Sequence, residues 1–246
     1  MQVRDIEKQL RKAAHLSAAL LFPRRCAVCD AISLPAGNFV CDSCRGKIRY
    51  IEEPICYRCG KRLADEDAEY CHDCRNTEHL YIKGYGLYEY ESMKQSIYRF
   101  KYRKRQEYAV FYGQEVKNRL GSRIEAMKAQ AFVPIPLHKS KRRSRGYNQS
   151  ELLANELGKQ FGIPVKNKLL VRVKKTVPQK ELNPSERQNN LKKAFKIEEN
   201  DVKLKTIILV DDIYTTGSTI DAASEVLLAG GIEKIYYISL AIGAGL

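Results

Sequence analysis

All eight cysteines of the chain fall between residues 26 and 74. They form four C-x-x-C pairs, Cys26/Cys29, Cys41/Cys44, Cys56/Cys59 and Cys71/Cys74, and the first cysteines of successive pairs lie 15 residues apart. Each pair sets two thiolates on one side of a tight turn, and two such knuckles complete a tetrahedral four-cysteine site for zinc. Four knuckles therefore predict two structural Zn2+ ions, in closed sites with no free position for substrate. Disulfides would suit an exported chain, and redox catalysis does not normally use four such pairs in succession. Neighbouring knuckles close shorter loops than alternate ones, which favours the sets 26/29/41/44 and 56/59/71/74 over a cross-braced arrangement. The cysteines suffice for both ions, so His72 and His79 are expected at the surface.

A second constellation begins at Thr206-Ile207-Ile208-Leu209-Val210, the continuous apolar run of a parallel strand buried on both faces. The strand is expected to end in Asp211-Asp212, followed by Ile213-Tyr214 and then Thr215-Thr216-Gly217-Ser218-Thr219. A helix from about Thr219 to Leu228 should follow. Such a strand–loop–helix aims backbone N–H groups and the positive end of the helix at one point, where an anion binds. Gly217 lets the backbone come close to that anion, and the four hydroxyl side chains add donors. The two carboxylates can accept from vicinal hydroxyls of a ribose, in the crevice at the carboxyl ends of the strands. Neither a G-x-x-x-x-G-K-[ST] loop nor a G-x-G-x-x-G turn is present, so the ligand expected is a sugar phosphate rather than a nucleoside triphosphate or dinucleotide.

A third constellation lies upstream. Val133-Pro134-Ile135-Pro136 leads through His138 into Lys139-Ser140-Lys141-Arg142-Arg143-Ser144-Arg145, where five of seven residues are basic. A loop of this kind at a strand end would neutralise a pyrophosphate and stabilise its charge as it departs. The competing reading is a solvated or nuclear-localisation-like basic run.

The elements that must position these residues alternate in α/β fashion after residue 80. Strands are expected over Tyr81–Tyr90, Phe132–Ile135, Leu169–Val173, Ala194–Ile197 and Lys234–Ala241. Helices are expected near 92–103 and 107–120 and over Gln149–Phe161. Asn183-Pro184-Ser185-Glu186 carries the cap, proline and acid of a helix start. The first residues, 1–25, read as an amphipathic helix, with Ile6, Leu10 and Leu20 near one face, rather than a signal peptide or a membrane span. The organisation expected is thus a helix over 1–25, a double zinc-ribbon module over 26–75 and an α/β domain over 80–246.

The formal charge of +14 is unevenly placed. Residues 99–145 hold 14 Lys/Arg against 3 Asp/Glu and residues 166–193 hold 9 against 2, whereas residues 196–246 hold 4 against 8. A phosphate-rich partner is the natural reading of two basic blocks around an acidic segment. Tyr98-Arg99-Phe100-Lys101-Tyr102-Arg103 alternates rings with cations, as a single-stranded nucleic-acid surface does. On a helix, however, Ile97, Phe100 and one of Tyr98 or Tyr102 should face the core. The zinc module, at about −2 with thiolates and metal counted, is a poor candidate for the main nucleic-acid surface and reads as a docking module.

The string from Ile207 to Thr219 resembles the signature of type I phosphoribosyltransferases: hydrophobics, two acids, two variable residues, then T-T-G-S-T. That resemblance implies a type I phosphoribosyltransferase-like parallel sheet flanked by helices, here preceded by the small zinc-ribbon module. It also implies a site for 5-phosphoribosyl-1-pyrophosphate, with Asp211 and Asp212 on the ribose hydroxyls, Thr215–Thr219 on the 5-phosphate and Mg2+ on the pyrophosphate. Thr215 stands where the 6-oxopurine enzymes carry an aspartate base, so that purine chemistry lacks its base here. The cysteine ribbons, the V-P-I-P segment, Arg145-Gly146-Tyr147-Asn148-Gln149, then Gln179, Arg187, Asn190 and Ala194-Phe195, together with the T-T-G-S-T loop, resemble the ComF family of late-competence proteins. Catalytic candidates are Asp211, Asp212 and Arg145. Candidate ligands of phosphoribosyl pyrophosphate are Thr215, Thr216, Gly217, Ser218, Thr219, Lys139, Arg142, Arg143, Gln149, Gln179, Arg187 and Asn190. The family resemblance implies cytoplasmic action in natural transformation, beside a DNA-translocating ATPase met through the zinc module, on incoming single-stranded DNA. An active cytoplasmic phosphoribosyltransferase with an unidentified acceptor is the alternative.

Overall fold

The computed structural model describes residues 23–33, 38–173, 194–198 and 203–243. The expected helix over 1–25 and the helix start at Asn183–Glu186 lie outside the described residues, apart from 23–25. The chain separates into two compact units, Met1–Ile48 and Arg49–Leu246.

In the first unit, Cys26 N–H donates to Ala31 O at 2.8 Å and Asp30 N–H to Cys26 O at 2.9 Å, which closes the first knuckle. Helix α1 (Asp42–Arg45) starts directly after Cys41. In the second unit the pattern recurs. Cys56 N–H donates to Lys61 O at 2.8 Å and Gly60 N–H to Cys56 O at 2.9 Å, and α2 (His72–Asn76) follows Cys71. The turns place Asp30 and Gly60 at nearly the same positive φ, 68° and 69°. The 15-residue beat of the sequence is therefore a structural repeat.

The rest of the second unit is built on a four-stranded parallel sheet in the order β1-β6-β5-β2, formed by β1 (Lys83–Glu89), β2 (Ala131–Pro134), β5 (Thr206–Tyr214) and β6 (Lys234–Ile242). The central strands β5 and β6 carry the longest apolar runs, as strands covered on both faces must. Neither edge strand is bare. Ile51 N–H donates to Leu87 O and Glu89 N–H to Arg49 O along β1, while Phe132 N–H donates to Pro164 O and Lys166 N–H to Phe132 O along β2. These contacts partly cover both edges of the sheet. Around the sheet lie α3 (Tyr90–Tyr102), α4 (Tyr108–Ala126), α6 (Gln149–Phe161) and α7 (Ser218–Ala229). A separate antiparallel pair joins β3 (Leu170–Arg172) to β4 (Phe195–Ile197).

Local chemistry explains the helix bounds. Asn148 Oδ1 accepts from Ser150 N–H at 3.2 Å and starts α6, and Gly162 in the left-handed region stops it. The basic segment expected as a loop is instead a seven-residue helix, α5 (Lys139–Arg145). His138 Nδ1 accepts from Ser140 N–H at 3.3 Å, so an imidazole serves as the N-cap that turned the loop into a helix. On α3, Met93, Ser96, Ile97 and Phe100 are buried, the i, i+3, i+4, i+7 stripe of one helix face. That stripe leaves both Tyr98 and Tyr102 exposed, against the expectation that one of them faces the core.

The second ribbon shares its core with the sheet. Cys56, Cys59 and Cys71 lie in one buried cluster with Tyr81, Ile207, Leu209, Tyr214 and Tyr237. Gly84 on β1 makes this packing possible, because a Cβ there would stand 1.9 Å from the Tyr237 ring. Tyr237 Oη then donates to Cys59 O at 2.6 Å.

Candidate functional site

The cysteines form two sets, Cys26/Cys29/Cys41/Cys44 and Cys56/Cys59/Cys71/Cys74, and within each set the four Sγ atoms lie within 4.8 Å of one another. A tetrahedron with Zn–S bonds of about 2.3 Å has edges of about 3.8 Å. Cys29 and Cys41 Sγ are 3.8 Å apart, and Cys59 and Cys71 Sγ are 3.6 Å apart, so both sets fit the ion. The Ser43 hydroxyl draws the Cys41 thiol down to about 6, while burial pushes Cys44 up to about 12. Four thiolates this close need a cation to ionise together. Zinc in these sites would hold the ribbons closed, and the four sulfurs leave no position for substrate.

At the carboxyl end of β5, the strand continues two residues beyond the acid pair, with Asp211 beside Ser239 and Tyr214 beside Ile242 on β6. Asp211 Oδ1 accepts from Ser150 Oγ at 3.0 Å and from Asp212 N–H at 2.8 Å. Burial, and then the charge of Asp212, push Asp211 up to about 7. Asp212 is held differently: Lys101 Nζ on α3 stands 2.9 Å from its Oδ1. One carboxylate is thus poised between protonation states and its neighbour is ion-paired.

Tyr214 is followed by the hydroxyl-bearing turn. Thr216 Oγ1 and Ser218 Oγ are 2.8 Å apart, and Gly217 occupies the N-cap of α7 at φ 82° with no side chain capping the helix. A Cβ at Gly217 would stand 2.7 Å from Tyr214 Oη and 2.8 Å from His79 Cε1, so the turn is tightly backed as well as left-handed. His79 is a correction to the sequence reading. Its side chain is only 1% exposed, with Nδ1 2.8 Å from Asp221 Oδ2. Its ring stacks on Tyr81 at 4.9 Å. Tyr81 and Tyr214 hydroxyls are 2.7 Å apart, and Tyr214 stacks on Tyr237 at 4.8 Å. His72, by contrast, is exposed as expected.

Arg145, at the end of α5, donates to Gln149 Oε1 and to Tyr102 Oη, both at 2.9 Å, and its guanidinium lies 4.6 Å from the Tyr102 ring centre. Gln149 Nε2 in turn donates to Lys101 O at 3.3 Å. Arg145, Gln149, Lys101, Asp212, Asp211 and Ser150 therefore form one connected group. Arg142 is drawn to Glu151 on α6, 3.0 Å away, while Lys139 and Arg143 are exposed. Gln179, Arg187 and Asn190 lie outside the described residues. The sequence reading misses Lys101 and Ser150 as site residues. Ser150 adjoins the Tyr147-Asn148-Gln149 segment, but only the strand that it meets 61 positions later reveals its role.

An open parallel sheet whose central strand delivers paired carboxylates into a hydroxyl-rich, glycine-capped turn defines a phosphoribosyltransferase-type unit, here preceded by two four-cysteine ribbons. Residues 147–243 match the model of the phosphoribosyl transferase domain, and residues 17–75 match that of the double zinc ribbon domain. Competence protein F of Haemophilus influenzae is 32% identical over 231 residues, covering 89% of this chain and 97% of that protein. Competence protein ComFC of Bacillus subtilis is 31% identical over 207 residues, covering 78% of this chain and 79% of that protein. The DNA utilization protein YhgH of Escherichia coli K12 is 33% identical over 104 residues, covering 42% of this chain and 45% of that one. The chain belongs to the ComF family of competence proteins.

No helix among the described residues is long and apolar enough to cross a membrane.

Proposed function

We propose that this protein is a cytoplasmic competence factor of natural transformation whose phosphoribosyltransferase-type unit binds phosphoribosyl pyrophosphate with Mg2+ and whose basic, aromatic face engages single-stranded DNA. The observation that carries the first part is the carboxyl end of β5, where Asp211 and Asp212 precede Thr215–Thr219 and the left-handed Gly217. Carboxylates suit vicinal ribose hydroxyls, and an uncapped helix start suits a phosphate. Tyr98 and Tyr102, 47% and 52% exposed with ring centres 5.1 Å apart, support the second part. Bases stack on such rings while neighbouring cations track phosphates. The names of the two long relatives support the role in competence, and in this reading the zinc ribbons are the docking surface for a DNA-translocating ATPase. An active phosphoribosyltransferase is the second reading, favoured by a cavity lined in part by Ile242 and by Gly243, whose N–H donates to Tyr214 O at the end of β5.

Calorimetric titration with phosphoribosyl pyrophosphate and Mg2+ tests the ligand, with Asp211→Ala/Asp212→Ala as the negative comparison. Unchanged affinity in that variant rules the assignment out. Single-stranded DNA binding is expected to weaken steeply as salt rises, and Tyr98→Ala/Tyr102→Ala to weaken it further. Salt-independent binding would refute the phosphate-tracking face.

A further inference from the structure

We infer that His79 is a positioning residue of the phosphate turn, and that through it the second zinc ribbon keeps the turn shaped for an anion; this rests on the reading of Thr215–Thr219 as the seat of the 5-phosphate. Residues 77–82 run as a strap from α2, the end of the second ribbon, to β1. Arg58, inside the Cys56/Cys59 knuckle, grips the strap from the ribbon side. Its Nη1 donates to His79 O at 3.1 Å and to Tyr81 O at 3.2 Å, and its own carbonyl accepts from Gly84 N–H at 2.8 Å.

From the other side the strap is held by α7, the helix that the phosphate turn begins. Asp221 Oδ2 lies 2.8 Å from His79 Nδ1, and Asp221 Oδ1 accepts from Leu80 N–H at 3.0 Å. A carboxylate only accepts, so His79 donates through Nδ1–H. Its Nε2 is buried and meets no hydrogen-bond partner among the described residues, so the ring's polar engagement is with Asp221. The ring also backs the turn, because a Cβ at Gly217 would stand 2.8 Å from its Cε1 and 3.1 Å from its Nδ1. Tyr81, on the same strap, steadies the rest of that floor. Its hydroxyl is 2.7 Å from the hydroxyl of Tyr214, which the same Cβ would also meet.

Charge gives the arrangement its purpose. Asp221 sits in the first turn of α7. An acid there is attracted to the helix's positive end and competes for it with any bound anion. A phosphate at this turn therefore needs the carboxylate turned away from the free amides. His79 and the Leu80 N–H do this by engaging one oxygen each from the strap. Without the imidazole, Oδ2 is released to compete at a helix start whose N-cap, Gly217, has no side chain of its own. Arg58 thus fixes the strap, the strap fixes Asp221, and Asp221 governs how much positive potential the turn offers.

Calorimetric titration of the full, zinc-loaded chain with phosphoribosyl pyrophosphate and Mg2+ tests this, with zinc content and thermal melts recorded for every variant. His79→Ala is expected to bind about tenfold more weakly than the wild type. Removing the competing carboxylate as well should reverse part of that loss, so His79→Ala/Asp221→Ala is expected to bind about threefold more tightly than His79→Ala. A merely structural role predicts the opposite, the second substitution adding to the first. The side-chain amide of asparagine reaches the place of Nδ1 and that of glutamine does not. His79→Asn should therefore stay near wild-type affinity and His79→Gln should lose about tenfold; this pair decides the matter if His79→Ala does not fold. Arg58→Ala, which leaves every cysteine in place, should weaken binding about threefold with both zinc ions retained. Wild-type affinity in His79→Ala, a double variant no tighter than the single one, or equal binding by His79→Asn and His79→Gln overturns the role of His79. Unchanged affinity in Arg58→Ala overturns that of the ribbon. If the wild type itself fails to bind phosphoribosyl pyrophosphate, the underlying reading of the β5 turn falls instead.

Discussion

Replacing Asp211 by asparagine should make the protein less sensitive to alkali. The folded carboxyl titrates near 7, against an ordinary value of 3.8, because it is buried and faces Asp212. Between those two values the folded chain holds a proton that the unfolded chain has released, so stability falls as pH rises toward and through 7. One pKa unit corresponds to about 1.4 kcal/mol, so between pH 6 and pH 8.5 the wild type loses about 1.4 kcal/mol through this group. For a unit of this size that is a fall in Tm of about 3–6 °C. Asparagine keeps an Oδ1 acceptor for Ser150 Oγ and Asp212 N–H but does not titrate, so Asp211→Asn should lack this component of the slope. The window stops at pH 6 so that acid does not strip zinc from its thiolates. Thermal melts of both proteins across this range give the answer. If the two Tm profiles run parallel, Asp211 is not the buried, poised carboxyl described above.

Two further outcomes are expected. Gly217→Ala must hold a left-handed conformation with its Cβ against Tyr214 Oη and His79, at a cost of about 1–3 kcal/mol; melts and calorimetric titration should show lost stability together with lost phosphoribosyl pyrophosphate binding. Cys29→Ser and Cys74→Ser should each lower the zinc content from two ions to one by elemental mass spectrometry. Cys74→Ser should also destabilise the sheet-bearing unit, because the second ribbon shares its core with the sheet; an unchanged melt of that unit would contradict this.

Features set by local chemistry are legible in the chain itself. The helix from Gln149 to Phe161 has its cap and its glycine in the sequence, and the apolar run of β5 announces a strand covered on both faces. The cysteine pairs, evenly spaced, sort into the two four-cysteine sets that fit a zinc ion. Other features depend on residues far apart in the chain. Lys101 lies 111 positions before Asp212, and no periodicity on α3 marks its ammonium for that carboxylate. His79 reads as a spare histidine beside cysteines until Asp221, 142 positions later, accepts its ring. The basic segment reads as a loop because His138 is an uncommon N-cap. Arg142 reads as an anion ligand because Glu151, its partner on the next helix, carries no sign of the pairing.

The hydrogen bond from Tyr237 to Cys59 spans 178 residues, and this bears on how the chain matures as it is synthesised. The second ribbon leaves the ribosome early, and its short loops can close around metal at once. Its buried face meets only β1 at that stage, and β1 has no parallel partner until β6, the last strand of the sheet, emerges. Between those events Tyr81 and the apolar side of the ribbon lack the cover that β6 gives them in the finished fold, so a chain cut short before residue 234 leaves that surface exposed. Final docking waits for Tyr237 and the apolar side chains of β5 and β6 that share its cluster. Docking of the ribbon on a complete sheet thus comes after β6 is made, at whatever point zinc is captured.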